Sequence, residues 1–191
     1  MNPDILNTIL GCLGGLLFSL GWVWLNKTSD DEVLASHINE LQDKKVDTDL
    51  MGYKARVHLS ADQLNISSGA ATKVLLDTED YDPGGNFDSV TNYRFIAPVS
   101  GYYQVNAGIR YENLVADKPY YCMVKRSGTV ILRSLCHTAS TSEVASGCSD
   151  VVYLTAGQYL ELFAYHVAGV DTVDIDGDPA DTYMSVHLLS I

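Results

Sequence analysis

With 191 residues, 47% of them apolar, the chain is too hydrophobic for a disordered polymer and long enough for one sizeable domain plus an appendage. Its net charge of −12 is spread along the length, and no Lys/Arg cluster exists, which argues against a nucleic-acid partner because phosphate neutralisation would dominate such binding. Four cysteines, without C-x-x-C or Cys/His spacing, supply neither a disulfide framework nor a zinc site.

Residues 1–27 form the first segment, in which residues 5–25 carry no charge. That run is long enough to cross about 30 Å of hydrocarbon. Trp22 and Trp24 stand near its end beside Lys27, where interfacial anchors belong. A signal peptide fits poorly, for there is neither a basic leader nor a small-residue cleavage site. Asn7, Gly11, Gly15 and Ser19 recur every four residues and so line one helix face, along which identical helices can approach closely. Two environments suit this helix, a membrane or a protein bundle.

Residues 28–52 read as a short helical stalk. Ser29 and Glu32 match a capping box, and Leu34, Ile38 and Leu41 keep a heptad spacing. Two heptads need other contacts to hold several chains together.

Residues 53–191 change period. Ala55, Val57 and Leu59 alternate with polar residues, as do Val105, Ala107, Ile109 and Tyr111, which predicts half-buried strands. An apolar run at 74–76 reads as a strand ended by the acids of 77–82, and Pro83-Gly84-Gly85-Asn86 as a tight turn. Residues 120–136 read as a hairpin turning at Ser127-Gly128. Residues 137–147 read as a surface loop, with strands following at 150–154 and 158–168. The acidic segment 171–181 precedes a last strand. Many strands between short turns, without a helical pattern, predict a β-sandwich.

Within this region Val74, Asp77, Tyr81-Asp82-Pro83-Gly84-Gly85-Asn86-Phe87-Asp88, Phe95, Pro98-Val99 and Gly101-Tyr102-Tyr103 resemble the signature of the C1q/TNF-like jelly-roll family. Val151-Val152-Tyr153-Leu154, Ala156-Gly157-Gln158, the strand from Tyr159, and the closing run from Thr182 to Leu189 fit in the same order. Ala97 departs from the pattern, since many members carry cysteine there. The resemblance covers roughly residues 54–191 and implies a trimeric all-β jelly-roll head.

Several constellations bear on function. Asp174, Asp176 and Asp178, with Asp171 and Asp181, form the densest oxygen set and the candidate calcium ligands. Their spacing departs from an EF-hand, and a solvated acidic loop explains them as well. Cys136 and Cys148 bracket a Ser/Thr-rich stretch and could pair or stay free. The five histidines are scattered, and no G-x-S-x-G elbow, Walker loop or dinucleotide fingerprint is present, so no enzyme is expected. After Gln158 the strand is largely apolar on both faces: Leu160, Leu162, Ala164 and His166 on one, Tyr159, Glu161, Phe163, Tyr165 and Val167 on the other. One face serves the core, and the second is expected to meet another subunit; the resemblance implies that this meeting is a trimer, with a neighbouring strand that carries Tyr103 to Tyr111.

These features lead to an expected non-enzymatic, homotrimeric attachment protein with a compact head on a helical stalk and an apolar anchor. It would be a spike or fibre-like virion protein, of a bacteriophage or other virus, whose head binds a host surface receptor or another virion protein. A membrane-anchored cell-envelope ligand or adhesin is the alternative. Residues 5–25 allow a membrane contact, and no cofactor other than calcium is indicated.

Overall fold

The computed structural model describes residues 36–40, 52–139 and 141–191. The chain divides into two units, Met1–Thr48 and Asp49–Ile191. In the first, residues 36–40 are helical and Ile38 is half exposed. The remainder of the expected stalk, the apolar run 5–25 and the stripe Asn7, Gly11, Gly15 and Ser19 lie outside the described residues. No helix among the described residues is long and apolar enough to cross a membrane.

The second unit is a jelly-roll sandwich of two antiparallel sheets. The seven-stranded sheet holds β1 (Lys54–His58), β2 (Gln63–Ile66), β4 (Thr78–Tyr81), β7 (Gly101–Glu112), β10 (Glu143–Leu154), β12 (Val173–Ile175) and β13 (Tyr183–Ser190). At its centre β7 pairs with β10 along its whole length, and on its other side with β13 and then β12. The six-stranded sheet holds β3 (Thr72–Lys73), β5 (Phe87–Asp88), β6 (Arg94–Ile96), β8 (Lys118–Arg126), β9 (Thr129–Thr138) and β11 (Tyr159–His166). Its order runs β5-β6-β11-β8-β9, with β3 also against β11.

The alternation read from the sequence places the core. Val105, Ala107, Ile109 and Tyr111 of β7 point inward, facing Leu160, Leu162, Ala164 and His166 of β11 across the sandwich, and all eight are buried. The β8/β9 hairpin turns where predicted: Ser127 and Gly128 both have positive φ (46° and 88°), the pair a two-residue turn of primed type requires.

Three local expectations change. Residues 74–77 are not a strand but a crossing, because β3 lies in one sheet and β4 in the other. The apolar run is explained by Val74 and Leu76 plugging the core during the crossing, while Leu75 faces out. The acids after them extend into β4 at the sheet edge. Residues 137–147 are mostly strand, since β9 runs to Thr138 and β10 begins at Glu143. Small polar residues suffice there because β10 is bonded along one edge and turns half its side chains to solvent. The acidic segment 171–181 contains the short strand β12.

The described cysteines are free. Cys148 stands 3.8 Å (Sγ–Sγ) from Cys122 of the opposite sheet, and Cys136 donates to the Tyr120 carbonyl at 3.5 Å. Of the two states considered for Cys136 and Cys148, the structure therefore has the unbridged one. The hydrogen bond with Cys148 and burial push the Cys122 thiol pKa upward.

Candidate functional site

The outer face of the six-stranded sheet carries the predicted subunit contacts Tyr159, Phe163 and Tyr165, all half-buried. Each ring already has a neighbour from its own chain. The Arg94 guanidinium lies 4.4 Å from the Tyr159 ring centre, Lys125 Nζ 3.6 Å from that of Phe163, and Tyr121 meets Tyr165 edge to face at 5.4 Å. Cations over ring faces leave a charged head in water above an apolar body, so this surface tolerates solvent. Glu161, on the same face, is buried and bonded to Lys73 Nζ at 2.6 Å.

Tyr103 does not join them. It lies on β7 in the opposite sheet, wholly buried, with its hydroxyl donating to the Val99 carbonyl at 2.8 Å and its ring against Phe95. It offers no surface to another subunit, which corrects the expectation; β11 is flanked instead by β8, β6 and β3.

Uncovered apolar surface lies on both sheets: Val130 and Leu135 of β9 are 44% and 50% exposed, and the outer face of the seven-stranded sheet adds a cluster. Tyr102, Val151, Tyr153 and Leu189 are 51%, 44%, 47% and 53% exposed. Tyr102 faces Tyr153 across the β7/β10 register, ring centres 5.2 Å apart and edge to face. Next along the sheet Gln104 and Asn106 bond Ser149, and Asn106 bonds Ser185. Then Gly108 pairs with Gly147, two positions without side chains. At the far end Arg110 meets Asp181 at 2.9 Å, Asp176 at 3.3 Å, and Glu143. Its hydrogen bonds to Asp181 and Glu143 push the guanidinium pKa further up. Sequence reasoning passed over Tyr102, although the doublet Tyr102-Tyr103 held the signal: on a strand, one tyrosine inside puts its neighbour outside.

The candidate calcium ligands diverge. Asp174 accepts from the Asn65 amide at 2.8 Å and from Asn113 Nδ2 at 2.7 Å. Asp176 accepts from the Asp178 amide and faces Arg110, and Asp178 accepts from the Ala180 amide. Their carboxylates hold the loop to its neighbours rather than converging. Histidines in strands are also engaged: His166 Nε2 is 2.8 Å from the Ile66 carbonyl in the core, and His187 Nε2 is 2.7 Å from the Tyr81 hydroxyl.

No family model and no curated protein matches the chain. Solved structures do. A crystal structure of murine APRIL at pH 5.0 superposes with a TM-score of 0.56 at 12% identity, covering 71% of this chain and 98% of that one. The Eiger TNF of S. frugiperda gives 0.52 at 14% identity, covering 71% and 91%. The globular domain of zebrafish complement 1qA gives 0.54 at 12% identity, covering 71% and 96%. The chain thus has the C1q/TNF-like jelly-roll fold. At these identities the likeness extends to fold alone.

Proposed function

We propose that this chain is a non-enzymatic, homotrimeric attachment protein, displayed on a virion, whose jelly-roll head binds a host receptor. The observation that carries the trimer is the uncovered patch of Tyr102, Val151, Tyr153 and Leu189 on the outer face of the seven-stranded sheet, which water disfavours and a second copy would cover. The solved structures alike in fold are named as APRIL, a TNF and the globular domain of complement 1qA, and a binding role for this chain follows that likeness. The uncharged run 5–25 favours a second reading, an adhesin or ligand anchored in a cell envelope.

Every core residue among the described residues lies within the second unit, so residues 49–191 suit sedimentation equilibrium. Three chains per particle are expected, and a stable monomer at micromolar concentration would end the trimer reading. Immunoblotting of purified particles decides between the two settings: the chain in the virion fraction supports the first, the chain in the cell envelope alone the second.

A further inference from the structure

We propose that the outer face of the six-stranded sheet is a binding site for a carboxylated saccharide chain, in a groove of about 410 Å³ lined by Tyr121, Tyr165, Met123, Val130, Lys125 and Arg133. This deepens the attachment reading above by naming the ligand chemistry of the head.

Charge makes the first argument. The strands of the seven-stranded sheet carry three bases and six acids, whereas those of the six-stranded sheet carry six bases and two acids. In a chain of net charge −12 this sheet is a basic exception. One of its two acids, Glu161, is buried and neutralised by Lys73. Lys125 and Arg133, by contrast, have no carboxylate partner among the described residues; they lie over aromatic rings, Lys125 against Phe163 and Arg133 5.7 Å from the centre of Tyr121. Two cations without counter-ions beside an open groove favour an anion, and guanidinium suits a carboxylate through paired hydrogen bonds.

The groove's shape selects the anion. Its volume falls within the range of small-ligand sites, about 300–1,000 Å³. Both backbone edges of β8 are taken, by β9 on one side and β11 on the other, so no peptide can add as a strand beneath the groove. A ligand there must be held by side chains. Tyr121 and Tyr165, edge to face, present an apolar step flanked by hydroxyls and cations. A pyranose ring has the matching surfaces, an apolar C–H face for the rings, hydroxyls for the tyrosine oxygens, and a carboxylate for Arg133 or Lys125. Two free cations are too few to hold a nucleic acid, whose affinity rests on many phosphate contacts.

The test is calorimetric titration of the full chain with an oligogalacturonate and with the methyl ester of the same oligomer, which keeps the rings and removes the charge. Binding of the acid is expected, with the ester at least ten-fold weaker. Arg133→Gln and Tyr165→Leu should each weaken the acid at least ten-fold without shifting the melting temperature by more than a few degrees. Lys54→Gln, on the opposite sheet, should leave it unchanged. Equal binding of acid and ester, insensitivity to Arg133→Gln, or no binding at millimolar sugar would overturn the proposal. A glutamate-rich peptide that binds the parent chain more tightly than the sugar, and is weakened by the same variants, would also overturn it, in favour of an acidic protein. Sedimentation of the same sample keeps the two readings separate, because a trimer that ignores the sugar removes only this site, and a monomer that binds it removes only the trimer.

Discussion

Tyr111→Phe removes one oxygen from the middle of the sandwich. Tyr111 belongs to β7 of the seven-stranded sheet, is wholly buried, and sends its hydroxyl across to the six-stranded sheet. There it donates to the Tyr121 carbonyl at 2.6 Å and accepts from the Tyr165 amide at 3.1 Å, so a single hydroxyl ties three strands together. A net intramolecular hydrogen bond contributes about 1 kcal/mol, and two are lost, so the variant should be about 2 kcal/mol less stable. Phenylalanine fills the same ring volume against Tyr120, 5.3 Å away, which keeps a cavity term out of the comparison. For a domain of this size the loss corresponds to a melting temperature lower by roughly 6 °C. Urea unfolding followed by far-UV circular dichroism should show a lower midpoint and an unchanged slope, because the surface exposed on unfolding is the same. Tyr102→Phe, whose hydroxyl stands at the surface, is the control and should stay within about 0.5 kcal/mol of the parent. A Tyr111→Phe protein as stable as that control would refute the bridging role of the hydroxyl.

Burial raises the hydroxyl pKa values of Tyr103, Tyr111 and Tyr120 above their ordinary 10.0. The unfolded chain therefore loses those protons first, so stability should be full below pH 10 and fall progressively above it, by less in Tyr111→Phe; a flat stability curve from pH 9 to 11.5 would count against this. Lys73→Met should cost about 3 kcal/mol by leaving the buried Glu161 carboxylate without its cation, and adding Glu161→Leu should restore much of it in a double-mutant cycle. Gly108→Ala should lower the melting temperature, since a Cβ there would stand 2.8 Å from the Asp181 carbonyl oxygen, and a neutral result would mean the 181–183 segment yields easily.

The sequence was most legible where one residue settles a neighbour's direction. Alternation placed Val105 to Tyr111 inward, and Ser127-Gly128 announced its turn, because both signals are local. Legibility failed where the deciding partner is distant in the chain. Val74 and Leu76 looked like a strand because nothing local distinguishes a strand from a buried crossing between sheets. The polar start of β10 looked like a loop because its strand identity comes from pairing with distant residues of β7, Glu143 with Glu112 and Gly147 with Gly108. In the candidate site, the cations that lie over Tyr159 and Phe163 on the outer face of β11 come from β6 and β8, which the sequence does not place beside them. Cys148 faces Cys122, which lies outside the stretch that Cys136 and Cys148 bracket.

That difference yields a paired prediction about where copies of the head meet. An aromatic side chain buries about 150–250 Å² when fully covered, so a half-exposed tyrosine has roughly 100 Å² left to offer. At about 25 cal/mol per Å² this favours association by roughly 2.5 kcal/mol for each Tyr153, or about 60-fold in an association constant. Tyr153→Asp removes that surface and would put a carboxylate beside Tyr102 in the contact. On residues 49–191 it should convert trimer to monomer at micromolar concentration while the circular dichroism spectrum and unfolding midpoint stay close to the parent. Phe163→Asp changes an equally apolar position, but one already under Lys125, which the new carboxylate would pair with in place of the ring. It should leave the trimer intact. The reverse outcome, dissociation by Phe163→Asp and none by Tyr153→Asp, would place the contact on the β11 face after all, with the lysine displaced on assembly.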